Sequence, residues 1–277
     1  DVYKRQGYSG GDEKLDITTL TEFPDSIRTL IAKEPEKDTL NYWFTPFEID
    51  SIIFKVTNEK MKKIDTFTVK TRNLVSDSLM LTPSHRNKIN FEDEFHITSS
   101  IPISAIDTTR ITMFNKDTTE VDFKTKLDTL KNRIFMDFEK EPEETYYLNM
   151  LPDFVTDFFG NTNDTISYRL ATDGYADLGN LRLNLAGEID YPIIVQLTDE
   201  KGKLYREIYV PEAKSLDFNT LEPGNYLIRI IIDANANGKW DTGNYLKKIQ
   251  PERVIYYPGT IEMRANWEKI ETFTVLD

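Results

Sequence analysis

The chain has 277 residues, no cysteine and a formal charge of 34 − 47 = −13. Disulfides, thiolate metal sites and thiol nucleophiles are therefore excluded, and so strong an acidic balance repels phosphate backbones and anionic lipid, making nucleic acid a poor partner. With 39% hydrophobic and 12% aromatic residues the chain can build cores, and no apolar run approaches the ~20 residues that span a bilayer.

The chain opens on DVYKRQ rather than Met. This stretch looks like translated sequencing-adapter read-through, as found in assembled environmental DNA. Residues 1–6 are left out of the fold reading, and the natural chain is expected to extend upstream. Short runs rich in Ile, Val, Thr, Tyr and Phe then follow one another: TLNYWF, SIIFKVTN, DTFTVKTR, RITMFN, RIFMDFE, TYYLNM, LRLNLAG, IIVQLTD, LYREIYV, NYLIRIII and RVIYYP. Turn residues separate them at roughly 8–12-residue spacing, the pattern of all-β sandwiches. Two stretches also read as helices. TLTEFPDSIRTLIAKE (19–34) is one, and VDFKTKLDTLKNR (121–133) is the other, although strand, turn, strand explains the second as well.

Three segments result. Residues 1–80 hold the adapter-like start and three strands, the C-terminal part of a β domain whose front is missing. Residues 81–174 form a second unit. Residues 175–277 form a third, entered through the Gly/Asp-rich linker ATDGYADLGN. EPEETYYLNM (141–150) and EPGNYLIRII (222–231) echo each other, each placing a Tyr just after an acidic or Pro/Gly turn. Tyr146 or Tyr147, and Tyr226, are candidates for a tyrosine corner, whose hydroxyl bonds back to upstream backbone.

Residues 81–170 resemble the bacterial Ig-like domain of surface-layer type, through Pro102–Ile103, IDTTRITMF (106–114), PEETYYL (142–148) and DFFGN (157–161). Residues 179–275 resemble carboxypeptidase-regulatory or transthyretin-like β-sandwiches, through GNLRLNLAG, VQLTDEKGKL, FNTLEPGNYLI and DANANGKWD. The order of the two is similar to that in Gram-negative surface lipoproteins of Ig-like type. The resemblance implies an extracytoplasmic setting at the cell surface or the periplasmic face of the outer membrane. It also implies a lipid anchor upstream as the membrane link.

The stretch richest in chemistry is DANANGKWD. Counting Asp233 as position 1 puts Asn235 at 3, Asn237 at 5, Gly238 at 6, Lys239 at 7, Asp241 at 9 and Asn244 at 12. Calcium takes 6–8 oxygens, and an EF-hand loop supplies them from positions 1, 3, 5, 7 (a carbonyl), 9 and 12, with Gly at 6. The first half fits. Position 12 is Asn rather than a bidentate Glu, and strands flank the loop, so this is no EF-hand. Glu252, in QPERV, is the expected closing carboxylate. The candidate ligand set is therefore Asp233, Asn235, Asn237, Lys239, Asp241 and Glu252, for a structural Ca²⁺ held weakly, roughly in the 10⁻⁴–10⁻³ M range of extracellular modules. The bland reading is a polar loop braced by its own Asx side chains.

Other candidates carry less. Trp240 reads as a cap on a sandwich end, or as a sugar platform together with Trp43 or Trp267. The aromatics of NYWFTPF (41–47) and YYP (256–258) read as half core. His85 and His96 lack any zinc spacing, and Ser84–His85 adjacency is no triad signature. Glu92, Asp93 and Glu94 read as a solvated face rather than as glycosidase carboxylates. No catalytic residue and no further cofactor is expected. The expectation is an all-β chain of tandem Ig-like/transthyretin-like sandwiches. Its role is a non-catalytic scaffold or interaction array at a bacterial surface, with an unidentified protein or glycan partner. The alternatives are a glycan-binding surface protein or an accessory region of a larger enzyme.

Overall fold

The structure is a computed structural model that describes residues 5–7, 15–33, 39–58, 62–71, 78–212, 215–243 and 248–275. The described residues are all-β, with two single-turn 3₁₀ helices, at Thr108–Arg110 and Tyr175–Asp177, as the helical pieces. The chain divides into two compact units. One is built from residues 1–89, 93–140 and 145–171, the other from 90–92, 141–144 and 172–277.

The first unit opens with six strands: β1 (Arg5–Gly7), β2 (Leu15–Thr19), β3 (Thr29–Lys33), β4 (Thr39–Phe44), β5 (Ser51–Asn58) and β6 (Lys63–Lys70). They form two antiparallel sheets ordered β1-β4-β3 and β2-β5-β6. Between them lies a small core of Phe44, Ile52 and Phe54 with Ile17, Phe23, Tyr42 and Phe67 packed around it. The expected helix at 19–34 is not formed. Pro24 closes a turn by accepting the Ile27 N–H at 2.9 Å, and the Thr/Ile-rich flanks pair as β2 and β3. Proline restricts the residue before it to extended backbone, and β-branched flanks favour pleated pairing. Glu34 and Arg72, at the ends of predicted stretches, lie outside the described residues.

The same unit continues with ten strands: β7 (Leu81–Pro83), β8 (Asn87–Lys88), β9 (Phe95–Ser99), β10 (Ile103–Ile106), β11 (Ile111–Phe114), β12 (Phe123–Asp128), β13 (Arg133–Phe138), β14 (Thr145–Met150), β15 (Val155–Asp157) and β16 (Ile166–Ala171). Four-stranded sheets β12-β13-β9-β7 and β11-β14-β16-β8 supply the core, and β10 pairs with β15. Alternation decides which side chains face inward, because successive residues of a strand point to opposite faces. Ile134, Met136 and Phe138 of β13 meet Tyr146, Leu148 and Met150 of β14 in one cluster with Phe95, Ile97, Met113 and Leu170. Residues 121–133 take the strand-turn-strand form. Asp128 Oδ1 accepts the N–H groups of Leu130 at 3.0 Å and Lys131 at 3.1 Å, and Asn132 sits at φ 50°.

The second unit holds eight strands: β17 (Gly179–Gly187), β18 (Ile193–Thr198), β19 (Leu204–Val210), β20 (Ser215–Leu221), β21 (Gly224–Ile232), β22 (Val254–Tyr256), β23 (Ile261–Met263) and β24 (Glu268–Val275). The sheet β20-β17-β24 faces the sheet β19-β18-β21-β22, and β23 joins the start of β21. Leu181, Leu183, Ile193, Val195, Ile228, Ile230 and Phe273 fill the space between, each at most 1% exposed. β17 and β24 run parallel over eight residue pairs that end at Gly187 and Val275. A Cβ on Gly187 would fall 2.2 Å from the Val275 carbonyl oxygen, and φ there is +94°, so this position requires glycine.

Both tyrosine corners form. Tyr146, not Tyr147, points inward at 2% exposure, with its hydroxyl 3.4 Å from the Glu139 carbonyl. The Tyr226 hydroxyl donates to the Glu222 carbonyl at 2.8 Å. A buried hydrogen bond of ordinary length contributes about 1 kcal/mol net, and a stretched one less. Tyr226→Phe should therefore lower the unfolding free energy by about 1 kcal/mol in urea titrations, and Tyr146→Phe by a smaller amount. Equal losses would contradict the difference in geometry.

Candidate functional site

The Asp/Asn loop leaves the end of β21 and returns at β22. Asp233 begins it, wholly buried, with its N–H donating to the Pro192 carbonyl at 3.1 Å. Its two carboxylate oxygens face back into the loop: Oδ1 accepts the Asn237 N–H at 3.1 Å and Oδ2 accepts the Gly238 N–H at 2.7 Å. Ala236 and Gly238 take left-handed φ values of 57° and 72°, which curls the backbone around that carboxylate. Asn235 and Asn237 continue the curl. Asn235 Oδ1 accepts the Asn237 N–H at 3.1 Å, and Asn237 Oδ1 accepts the Lys239 N–H at 2.8 Å. Both amide nitrogens turn to Asp241, with Asn237 Nδ2 donating to Asp241 Oδ2 at 2.7 Å and Asn235 Nδ2 bonding the same oxygen.

Glu252 reaches the loop from 18 residues further on. Its Oε1 accepts the Ala234 N–H at 3.0 Å and its Oε2 accepts the Asp241 N–H at 2.9 Å. The Glu252 N–H donates in return to the Asp241 carbonyl at 3.1 Å. Gly243 packs so closely on the segment leading into β22 that a Cβ would lie 2.9 Å from the Ile249 oxygen and from Pro251. Five of the six predicted residues thus meet through side chains, while Lys239 takes part through its backbone N–H. Asn244, predicted at position 12, lies outside the described residues.

Among the described residues, no three His, Asp or Glu side chains converge as a ready ligand group. Asp233 and Glu252 serve backbone donors, and Asp241 serves two side-chain amides. An ionised carboxylate offers about four acceptor positions, so each retains capacity beyond these bonds. Turning the Asn235 and Asn237 amides about their last torsion would present oxygen in place of nitrogen toward Asp241. The donor set of carboxylate and amide oxygens suits a hard cation.

The three tryptophans separate. Trp43 is 6% exposed and packs with Ile101 and Phe158, so it is core rather than a platform. The Trp267 ring carries the Arg264 guanidinium 4.8 Å from its centre. Trp240 is 48% exposed rather than capping a core, and its indole N–H points to the Glu252 carbonyl at 3.4 Å. Tyr256 is exposed, whereas Tyr257 packs on the core and donates to Glu271 Oε2 at 2.9 Å. Burial, with that carboxylate beside it, pushes the Tyr257 phenol up.

One arrangement carried no sequence signal. His85 Nδ1 lies 3.0 Å from Ser84 Oγ, and its Nε2 lies 3.2 Å from Asp93 Oδ2. Ser84 Oγ also accepts the His96 N–H at 3.0 Å, and the Ser84 N–H donates to the His96 carbonyl at 2.8 Å. The hydroxyl is held by backbone and the row ties β7 to β9. It is an exposed clasp, with the ring nitrogens placed opposite to a Ser-His-Asp triad. The run Glu92, Asp93 and Glu94 splits: Glu92 faces Arg206 at 3.4 Å while Asp93 faces His85 at 3.2 Å.

No family model matches the chain, and no curated protein does. Among solved structures, the Bacillus anthracis TIE protein is similar at 9% identity and TM-score 0.23, over 73% of this chain and 41% of that one. A variant of BcpA, the major pilin subunit of Bacillus cereus, is similar at 10% identity and TM-score 0.23, over 95% and 94%. A tandem of titin domains is similar at 9% identity and TM-score 0.22, over 99% and 93%. The chain spans less than half of the first of these. Among the described residues, no helix is long and apolar enough to cross a membrane.

His96 lies beside Phe135, ring centres 5.2 Å apart, and burial followed by the Arg133 charge holds its imidazole below the ordinary value of 6.5. The folded chain then binds fewer protons at this site than the unfolded one. That stability is present above about pH 6.5 and is lost as pH falls from there toward the lowered folded value. Melting temperatures measured from about pH 7.5 to about pH 5.5 should fall, and His96→Gln should flatten part of that slope. An unchanged slope in the variant would remove His96 as the cause.

Proposed function

We propose that this chain is a non-catalytic scaffold of consecutive Ig-like sandwiches, the surface-layer type followed by the transthyretin-like type. Its place is extracytoplasmic, at a bacterial surface, tethered through a lipid anchor upstream. Its last sandwich carries a loop stiffened by Ca²⁺. The observation that supports this reading most is where the chemistry-bearing side chains go. Asp157, Asn163 and Asp233 are buried, and each is used to hold backbone. Asp157 Oδ1 accepts the N–H groups of Phe159 and Asn161 at 2.8 Å each, and Asn163 Oδ1 accepts the Val155 N–H at 2.7 Å. Side chains that hold backbone turns stiffen a scaffold, whereas catalysis needs them turned toward a substrate.

The calcium part rests on the loop. A wholly buried carboxylate at position 1, oxygen-bearing side chains at 3, 5 and 9, glycine at 6 and a returning Glu252 supply hard oxygens around one turn. Neutralising the clustered acid groups would fix the span between β21 and β22 and stiffen that end of the sandwich. The exposed Trp240 beside the loop fits a glycan partner, whereas Trp43 is buried and Trp267, 39% exposed, carries the Arg264 guanidinium on its ring.

Thermal unfolding with millimolar calcium and with a chelator tests the reading. A ligand bound only by the folded state stabilises by RT ln(1 + [L]/Kd), so calcium at about ten times Kd should add about 1.4 kcal/mol. Asp233→Ala should abolish the calcium-dependent shift. Identical melting with calcium and with chelator would reduce the loop to a polar brace.

A further inference from the structure

The loop contains an Asn–Gly step, Asn237–Gly238. Such a step is chemically special, because the backbone nitrogen after the asparagine can close a five-membered ring on the side-chain carbonyl carbon, and glycine leaves that nitrogen unshielded. We propose that the folded loop promotes this closure, so that Asn237 deamidates within the native chain and the loop gains a carboxylate at its fifth position.

The loop's hydrogen bonds supply a base, a donor to the carbonyl oxygen and an anchor for the leaving nitrogen. The attacking nitrogen is that of Gly238, and its N–H donates to Asp233 Oδ2 at 2.7 Å. A general base must lie within hydrogen-bond reach of the proton it takes, and this one does. The carbonyl under attack is that of the Asn237 carboxamide. Its Oδ1 accepts the Lys239 N–H at 2.8 Å, so a backbone donor already points at the oxygen where negative charge develops. The departing nitrogen, Nδ2, is held by Asp241 Oδ2 at 2.7 Å. Base, oxyanion donor and leaving-group anchor belong to one turn, curled at Gly238 by a φ of 72°. Holding reacting groups together in this way is a recognised source of rate.

The step balances without a co-reactant other than water. Gly238 N bonds to Asn237 Cγ while its proton passes to Asp233. The tetrahedral carbon collapses, the Cγ–Nδ2 bond breaks, and the proton leaves with nitrogen as ammonia. The chain then holds a cyclic imide. Water opens it at Cγ, giving aspartate, or at the main-chain carbonyl, giving isoaspartate. The conversion belongs to the calcium-free loop, in which Asp233 and the Asn237 amide make these hydrogen bonds, so it is followed in the presence of a chelator. Its consequence rests on the calcium reading, since a carboxylate at 237 beside Asp233 and Asp241 strengthens a cation site and otherwise adds repulsion.

The test follows peptide mass on the full chain, folded in buffer and unfolded in urea, at one pH and temperature. Asn237 should convert about 10-fold faster in the folded chain, less than the roughly 10²–10⁴-fold that an ideally positioned acid or base provides. Equal or slower conversion in the folded chain overturns the proposal. Asp233→Asn keeps the side-chain shape, and its circular dichroism reports whether it folds. Slower conversion in that folded variant supports Asp233 as the proton acceptor, and unchanged or faster conversion removes it from that role. If the variant does not fold, the folded-to-unfolded comparison of the parent chain still decides. Asn237→Asp, melted with calcium and with chelator, separates the two readings. A calcium shift larger than the parent's joins them, and no shift in either chain alongside fast conversion sinks the calcium reading alone.

Discussion

A strand that is apolar on one face is stable in water only when that face is covered, and this constraint organises the chain. Successive side chains of a strand point to opposite sides, so alternation along each strand creates one apolar surface that must find another. β13 and β14 show the result, with Ile134, Met136 and Phe138 on one sheet against Tyr146, Leu148 and Met150 on the other. In the last sandwich the same rule places Val195 and Ile230 against Leu183 and Phe273. β18 goes further and is buried along all six residues, so its outward Gln196 requires polar partners at its own level. Arg229 Nε donates to Gln196 Oε1 at 2.6 Å, and Gln196 bonds Glu207 on its other side.

Covering the faces leaves the turns to be held, and acidic and amide side chains do this repeatedly. Asp128, Asp157, Asp199 and Asp233 each accept N–H groups from residues a few positions on. The device satisfies backbone donors that the turn would otherwise leave unpaired. It also gives a physical use for an acidic surplus that needs no ligand. The Asp233 loop differs from the others in degree. Its carboxylate is wholly buried, two asparagines extend the curl, and Glu252 braces it from the returning segment.

Much of this was legible in the sequence. TLNYWF, SIIFKVTN, TYYLNM and LYREIYV match β4, β5, β14 and β19 to the residue, because β-branched and aromatic alternation is a local signal. β24 was not marked among the predicted strands. Five of the eight residues of EKIETFTV are charged or polar and only Phe273 and Val275 are buried, and its parallel partner β17 lies far back in the chain. A pairing over that separation leaves no local trace. The 19–34 stretch misled because its apolar spacing also fits a helix, and the partners that settle it as strands, β4 and β5, lie downstream. The oxygen-bearing residues of the Asp/Asn loop were legible from spacing, and Glu252 from its place after the loop. The His85–Asp93 contact was not, because an eight-residue separation across a strand and turn is fixed only by how β7 meets β9.

The Asp233 loop concentrates the competition between charge and hydrogen bonding. Asp233, Asp241 and Glu252 are drawn into one turn of a chain that is already strongly acidic. Taking a charged group out of water costs free energy unless hydrogen bonds replace its lost hydration. Backbone N–H groups offset part of this for Asp233 and Glu252, and two amide groups do so for Asp241. Those partners are dipoles rather than full charges, so they satisfy geometry and leave the net charge in place. A bound cation would cancel the charge while using acceptor positions that the hydrogen bonds leave open. The same crowding sets the chemistry of Asn237, whose amide is held between a donor on its oxygen and a carboxylate on its nitrogen. A turn built to brace β21 against β22 thus also sets the Gly238 N–H on Asp233 and holds the Asn237 amide between the Lys239 N–H and Asp241.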